Sequence, residues 1–435
     1  MTRPTVVILD DDPTGTQAVS GVPVITRATP AALAWAFTTS PRGFFVLTNS
    51  RSLDEEAMTD LTRTVVVEVL RAAEGRAVRF VSRSDSTLRG HVVAEPEAIR
   101  AGYRMAGLPA PAMTVFVPAF PRAGRVTRGG VHLLQDTDGE IPAHESHYAT
   151  DATFGYATSS LPALVAARSH GALTEGDVAV VTAESVATAL REGSSPWLAC
   201  DAEDDDDLAA IATAIREADP HGEQAIVRAS PGILPALLGL SPSTELPRDG
   251  EAPRRGGLVI VGSHVAQTTR QLARLVEGGG ITLLTLDVER LVDAGADLVE
   301  RIVEELTADA IAALAASHVV IATGRTVRSF TDPDQSLAFA REVSDALVAV
   351  TRRVNERCDV AFVVAKGGIT SSDIATRALG IERAIVRGRV GAGIVWDPVD
   401  GLARAPLALV PGNIGDDDGL VEAVRGIAYQ RSSGE

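Results

Sequence analysis

Short apolar runs alternate with amphipathic stretches along nearly the whole chain. In the first half, residues 5–9, 22–26, 43–47, 77–81, 113–117, 178–182, 197–200 and 224–227 read as strands, and residues 29–37, 53–73, 89–106, 204–218 and 232–238 have helical spacing. In the second half, residues 258–261, 281–286, 318–323, 360–364 and 407–410 read as strands, with helical patterns at 266–276, 296–316 and 336–353. Continuous apolar runs separated by helical periodicity predict parallel strands joined by crossover helices. The expected fold is α/β with two domains, each a mostly parallel sheet flanked by helices. Residues 239–257, rich in Pro, Gly and charge and without an apolar period, are the expected linker between domains at 1–238 and 258–435.

The polar residues gather where strands end. Asp10-Asp11-Asp12-Pro13-Thr14-Gly15-Thr16 follows the first run, and Thr48-Asn49-Ser50-Arg51-Ser52 follows the third. Carboxylates in such a place suit Mg²⁺ binding or proton transfer from a hydroxyl, and equally a helix cap. The fourth run leads into Ser82-Arg83-Ser84-Asp85-Ser86-Thr87-Leu88-Arg89-Gly90-His91, which offers two guanidinium groups, one carboxylate, four hydroxyls and an imidazole. A cap explains one or two of these residues but not two arginines flanking an Asp-Ser-Thr cluster, so a ligand site is favoured. In a doubly wound sheet these strand ends converge on one crevice. Residues 118–160 form a long polar segment, expected as a substrate-covering loop or an interface. Its His144 and His147 lack an evident third ligand, and no metal site is assigned there.

Strand-to-helix turns in the second half are rich in glycine and hydroxyls. They are Gly262-Ser263-His264, Lys366-Gly367-Gly368-Ile369-Thr370-Ser371-Ser372-Asp373 and Pro411-Gly412-Asn413-Ile414-Gly415-Asp416, and the strand at 318–323 ends in Gly324-Arg325. Free backbone N–H groups at such turns point at an anion and suit phosphate. Neither the P-loop nor the dinucleotide fingerprint occurs, but several such turns in one domain favour a nucleotide.

Composition narrows the class. A chain of 435 residues, 45% hydrophobic and 22% charged, is long for one domain and has the balance of a soluble globular protein. A net charge of −17 argues against nucleic acid as the main partner. No apolar run approaches the ~20 residues that cross a bilayer, so no membrane partner is expected. Cys200 and Cys358 stand in no metal or redox spacing, and the N-terminus shows no signal-peptide pattern, so a cytoplasmic protein is expected. Lys366 is the single lysine among 40 basic residues: either drift to arginine left it behind, or it occupies a place that a planar guanidinium does not fit.

Several of these motifs, in this order, resemble the four-carbon acid sugar kinase family, which includes the 3-oxo-tetronate, D-threonate and D-erythronate kinases. Asp11-Asp12-Pro13-Thr14-Gly15 is similar to that family's Asp-Asp-x-Thr-Gly opening, Asn49-Ser50-Arg51-Ser52 to its Ser-Arg element, and Asp85-Ser86-Thr87-Leu88-Arg89-Gly90 matches its most characteristic motif. Gly262-Ser263, Gly367-Gly368-Ile369-Thr370 and Gly412-Asn413 are similar to its nucleotide-binding elements. The resemblance implies a sugar-acid domain, an ATP domain, an active site in the cleft between them and phosphorylation of a terminal hydroxyl by Mg²⁺-ATP. On this reading Arg51 and Arg89 hold the acid's carboxylate, aided by Asp11, while Ser86 and Thr87 meet its hydroxyls. Asp12 is the first candidate to orient or deprotonate the attacking hydroxyl and Asp85 the second. Ser263, Lys366, Gly367, Gly368, Ile369, Thr370, Gly412 and Asn413 surround the nucleotide. The chain departs from many members at Ser82-Arg83-Ser84 and His91, at Ile369 and at Val410-Pro411, which bears on the particular acid and on details of nucleotide contact. A sugar-acid sensor that binds nucleotide without catalysis, or a kinase for another small hydroxy acid, stays open as the alternative. Oligomeric state is also open, including a homo-oligomer built on the 118–160 segment.

Overall fold

A computed structural model describes residues 3–136, 139–247, 255–292, 294–324, 333–402, 404–412 and 415–429. The chain divides into two compact units, Met1–Pro242 and Ser243–Glu435.

The first unit contains β1 (Thr5–Asp10), β2 (Pro23–Ile25), β3 (Gly43–Leu47), β4 (Val78–Arg83), β5 (Met113–Val117), β6 (Arg125–Arg128), β7 (Val131–Asp136), β8 (Gly139–Pro142), β9 (Val178–Val181), β10 (Trp197–Cys200) and β11 (Ala225–Ala229). Its main sheet has the order β2-β3-β1-β4-β11-β5-β10-β9, parallel throughout. Both faces of the central strands are covered, so β1, β3 and β4 are buried at every position; β1 and β3 are largely apolar, while β4 also buries Arg79, Ser82 and Arg83. On one face, helices Pro30–Thr39, Glu55–Ala73 and Ala94–Met105 bury Leu33, Phe37, Val66, Val69 and Ile99 against Val7, Leu9, Phe44 and Phe80. Thr29 and Asp54 fix the starts of the first two helices by accepting from the N–H groups of Ala32 and Ala57. On another part of the sheet, Phe116 and Trp197 pack with Leu88, Val92, Leu134, Leu161 and Leu164.

The second unit contains β12 (Leu258–Val261), β13 (Ile281–Leu286), β14 (His318–Thr323), β15 (Val363–Lys366), β16 (Arg383–Val390), β17 (Gly393–Pro398) and β18 (Leu407–Val410). Strands β13-β14-β12-β15-β18 are parallel, and β17 and β16 continue this order antiparallel. Helices Ala266–Glu277 and Gly419–Ala428 pack Leu272, Leu275, Leu420, Ala423, Val424 and Ile427 against Val259, Val261, Val364 and Val410. Among the described residues no helix is long and apolar enough to cross a membrane.

Three sequence expectations change. Residues 118–160 are not one loop: they carry the antiparallel sheet β6-β7-β8. The helical pattern from 89 becomes a helix only at Ala94, because Leu88 and Gly90 take left-handed conformations with φ of +66° and +102°. The strand expected at 360–364 forms at Val363–Lys366 instead.

Candidate functional site

From β1 the chain moves outward to β3 and returns to β4 on the other side of β1. The register pairs Asp10 with both Leu47 and Arg83, so the three strands end level. Their carboxyl ends therefore border one crevice at the point where the strand order reverses.

Asp12 caps the short turn Pro13–Ala18: its Oδ1 accepts from Thr14 N (2.8 Å) and from the Thr14 hydroxyl (2.6 Å). Arg51, carried by a turn that Asn49 opens at φ +49°, donates to both oxygens of Asp11 at 3.0 and 2.8 Å and lies 3.5 Å from Asp12 Oδ2. Arg83 threads under the same loop. Its Nε donates to Asp10 Oδ1 (2.7 Å), its Nη2 to the Asp12 carbonyl (2.7 Å), and its Nη1 lies 3.1 Å from Asp11. This explains Gly15 in the motif, since a Cβ there would lie 1.8 Å from Arg83 Nη2. Asp85 accepts from Arg89 Nε (2.6 Å) and from the Thr87 hydroxyl.

The electrostatics separate the carboxylates. Burial raises the Asp85 pKa, but Arg51 and Arg89 outweigh it and bring the group down to about 2. Burial likewise opposes ionisation of Asp12, and Arg51 and Arg83 outweigh it, so this carboxyl is also held below its usual range. Asp10 is the reverse case: burial prevails over Arg83 and pushes it up to about 7, with Oδ2 lacking a hydrogen-bond partner among the described residues. Asp85 is thus committed to Arg89 and Thr87. Asp12 keeps Oδ2 only loosely held, on a side chain 23% exposed.

The 118–160 segment holds the Asp-Ser-Thr loop from behind. Buried His132 lies 2.8 Å from the Ser86 carbonyl through Nε2 and 3.0 Å from the Thr127 hydroxyl through Nδ1. A carbonyl only accepts, so Nε2 carries the proton, and burial keeps the ring neutral by lowering its pKa to about 4. Tyr156 donates to the Thr87 carbonyl at 2.7 Å. The Arg89 guanidinium stands 5.1 Å over the Tyr148 ring, with Nη1 3.6 Å from Asp151.

Asp11, Asp12, Arg51, Asp85, Ser86, Thr87 and Arg89 are brought together in this way. Asp10, Arg83, His132, Tyr148, Asp151 and Tyr156 join them, as do Glu95 and Arg228, which the sequence reading did not single out. Arg228 had one visible signal: a charged residue within the apolar run of a central strand.

The second unit repeats the topological device. From β12 the chain moves to β13 and β14 and returns at β15 on the other side. Gly262 and Ser263 follow β12, Gly367 follows β15 and Gly412 follows β18, and these turns meet. A Cβ on Gly262 would lie 2.3 Å from Thr370 Oγ1, one on Gly367 (φ +118°) 3.2 Å from Ser263 Cβ, and one on Gly412 3.0 Å from Ser263 Oγ. Thr268 bridges two of the turns by hydrogen bonds to Gly412 O (2.8 Å) and Ser263 Oγ (3.2 Å). Lys366 is fully buried, and its ammonium donates to the Pro411 carbonyl, tying the end of β15 to the end of β18. Burial lowers its pKa to about 8. Gly368 opens the helix Gly368–Asp373, and Ile369 on its first turn is 68% exposed. Asn413 and Arg325 lie outside the described residues.

The described residues offer Mg²⁺ no ready cage. Asp11 and Asp12 face arginines, and among the described residues no group of three or more His, Cys, Asp or Glu is placed to hold a metal. An ion of this kind would come with nucleotide phosphates and draw on one or two of these carboxylates.

One unit thus carries a crevice lined by carboxylates and arginines, and the other a cradle of glycines and hydroxyls. Residues 6–237 match the sugar-binding N-terminal domain and residues 258–420 the nucleotide-binding C-terminal domain. The chain belongs to the four-carbon acid sugar kinase family. It is 28% identical over 321 residues to a D-erythronate kinase of Heliobacterium modesticaldum, covering 69% of this chain and 67% of that one. It is 28% identical over 392 residues to a D-threonate kinase of Bordetella bronchiseptica, covering 89% and 86%. A solved structure from Haemophilus influenzae shares the fold, with a TM-score of 0.64 at 18% identity over 97% of this chain and 100% of that one.

Proposed function

We propose that this protein transfers a phosphoryl group from ATP, with Mg²⁺, to the terminal hydroxyl of a four-carbon sugar acid of the threonate, erythronate or oxo-tetronate type. The first unit binds the acceptor and the second the nucleotide. The observation that carries the reading is the convergence of Asp12, Arg51, Asp85 and Arg89 at one strand-end crevice, in a domain matched as sugar-binding. Arginine forks suit a carboxylate, and Arg51 and Arg89 take that role, with Asp11 orienting Arg51 and Ser86 and Thr87 beside them. Asp12, with a carboxylate oxygen only loosely held, orients the attacking hydroxyl or accepts its proton. Asp85, twice engaged and weakly basic, holds Arg89 and Thr87 in place. In the second unit, Ser263, Gly367, Gly368, Ile369, Thr370 and Gly412, with Asn413, surround the nucleotide. Lys366 ties two of these turns together. Transfer of this kind depends mostly on positioning and charge stabilisation.

The direct test is ADP release with Mg²⁺-ATP over D- and L-threonate, D- and L-erythronate and the 2- and 3-oxo-tetronates. Turnover with one acid well above the rest supports the reading and names the substrate. ATP binding without turnover on any of them rejects it in favour of a nucleotide-binding sensor or a kinase for another hydroxy acid.

A further inference from the structure

A second layer of charge lies beneath the acceptor crevice. Glu95, in the first turn of helix Ala94–Met105, and Arg228, on β11, are each 1% exposed. Glu95 Oε1 accepts from the Ser50 hydroxyl at 2.9 Å, and Oε2 accepts from Arg228 Nη1 at 2.5 Å and from the Ser82 hydroxyl. Arg228 Nη1 also donates to Ser82 Oγ at 2.5 Å, across the register that pairs the two residues. Yet among the described residues Arg228 Nε and Nη2 have no hydrogen-bond partner. Nη2 lies 3.6 Å from the point a Cβ on Gly90 would occupy, and Asp11 Oδ2 lies 3.5 Å from the same point.

This pair is poorly explained as a device for stability. A buried ion pair gains little over well-packed apolar residues, and unsatisfied donors make the balance worse. Its contacts follow another pattern. Ser50 precedes Arg51, Ser82 precedes Arg83, and Gly90 follows Arg89. Each arginine of the crevice has a neighbour in sequence that touches or faces the pair.

We propose that the Arg228–Glu95 pair is the positioning element of the acceptor site, fixing the spacing of Arg51, Arg83 and Arg89 and so setting affinity for the sugar acid without touching it. The inference rests on the acceptor role proposed above for this crevice. It predicts that the pair acts on the acid and not on the nucleotide.

The test uses the full chain and three variants. Ser50→Ala removes the link between Glu95 and the Arg51 turn. Glu95→Met with Arg228→Met removes both charges together and leaves none stranded. Glu95→Gln alone leaves Arg228 unbalanced and should lower Tm. The double variant should recover Tm while its KM for the acid stays about tenfold or more above wild type, with the KM for ATP unchanged. A double variant that recovers both Tm and the acid KM overturns the proposal, because the pair would then be structural only. If the double variant does not fold, Ser50→Ala decides: a raised acid KM with unchanged ATP KM supports the proposal, and an unchanged acid KM overturns it. Titration calorimetry with the acid alone separates this question from the activity itself. Wild type that binds an acid without turnover contradicts the kinase reading, while the variants still report on the pair.

Discussion

The two candidate sites use one topological device and opposite chemistry. In the first unit the switch between β3, β1 and β4 is filled by charged side chains, nearly all held by another charged group. In the second unit the switch between β14, β12 and β15 is lined by glycines and hydroxyls, with one buried lysine behind them. The contrast follows from the ligands proposed. A small acid must be told apart from similar acids, which calls for side chains at fixed spacing. Phosphates are met by backbone N–H groups, which calls for the absence of side chains.

The largest expected effect breaks this comparison at its chemical centre. Asp12→Asn keeps the acceptor for Thr14 N but loses the carboxylate, so kcat should fall by ~10² or more with both KM values little changed. A near-normal kcat in steady-state ADP release would move the role away from Asp12. Next, Arg89→Ala should raise the KM for the acid by roughly 10- to 100-fold, the range of one lost charged hydrogen bond, and leave the KM for ATP alone. Equal effects on both would erase the division of labour. The reciprocal experiment is Gly367→Ala, which places a Cβ against Ser263 at a positive φ. It should weaken ATP binding by about tenfold and spare the acid, and unchanged ATP affinity would remove the glycine cradle from the argument.

The smallest effect concerns pH. His132 has a folded pKa of about 4 against an ordinary 6.5, so between these values the unfolded chain binds more protons. Its contribution to stability is full above pH 6.5 and is lost as pH falls through about 4. Asp10 runs the other way. Its folded pKa of about 7 lies above the ordinary 3.8, so its contribution is full below 3.8 and is lost as pH rises through 7. His132→Gln keeps a donor for the Ser86 carbonyl and removes the titration. Its Tm should therefore fall by a few degrees less than that of wild type between pH 6.5 and 4.5. Parallel Tm curves would show that His132 does not carry this acid sensitivity.

Much of this architecture could be read from the chain, for a physical reason. A strand covered on both faces is mostly apolar, so β3, β5, β10, β12, β14 and β18 stand out with their observed limits. Polar residues directly after such runs have few places to go other than a strand-end crevice. What escaped reading depends on partners distant in sequence. Glu95 passes for an ordinary acidic residue in the first turn of a helix until Arg228, 133 positions away, is placed beside it. β6, β7 and β8 are short and partly exposed, so they lack the apolar signature of the main sheet. Helical spacing from Arg89 misled because periodicity does not register that Gly90 turns the backbone the other way.

The position of β11 has a consequence for how the protein is made. It is the last strand of the first unit to leave the ribosome, yet it inserts between β4 and β5 near the middle of the sheet. Until then the earlier strands cannot close into their final order, and Glu95 has no arginine opposite it. Such long-range parallel pairing is slow to form. During synthesis, the strand-end crevice is therefore among the last features of its unit to mature, although the residues that line it are among the first translated.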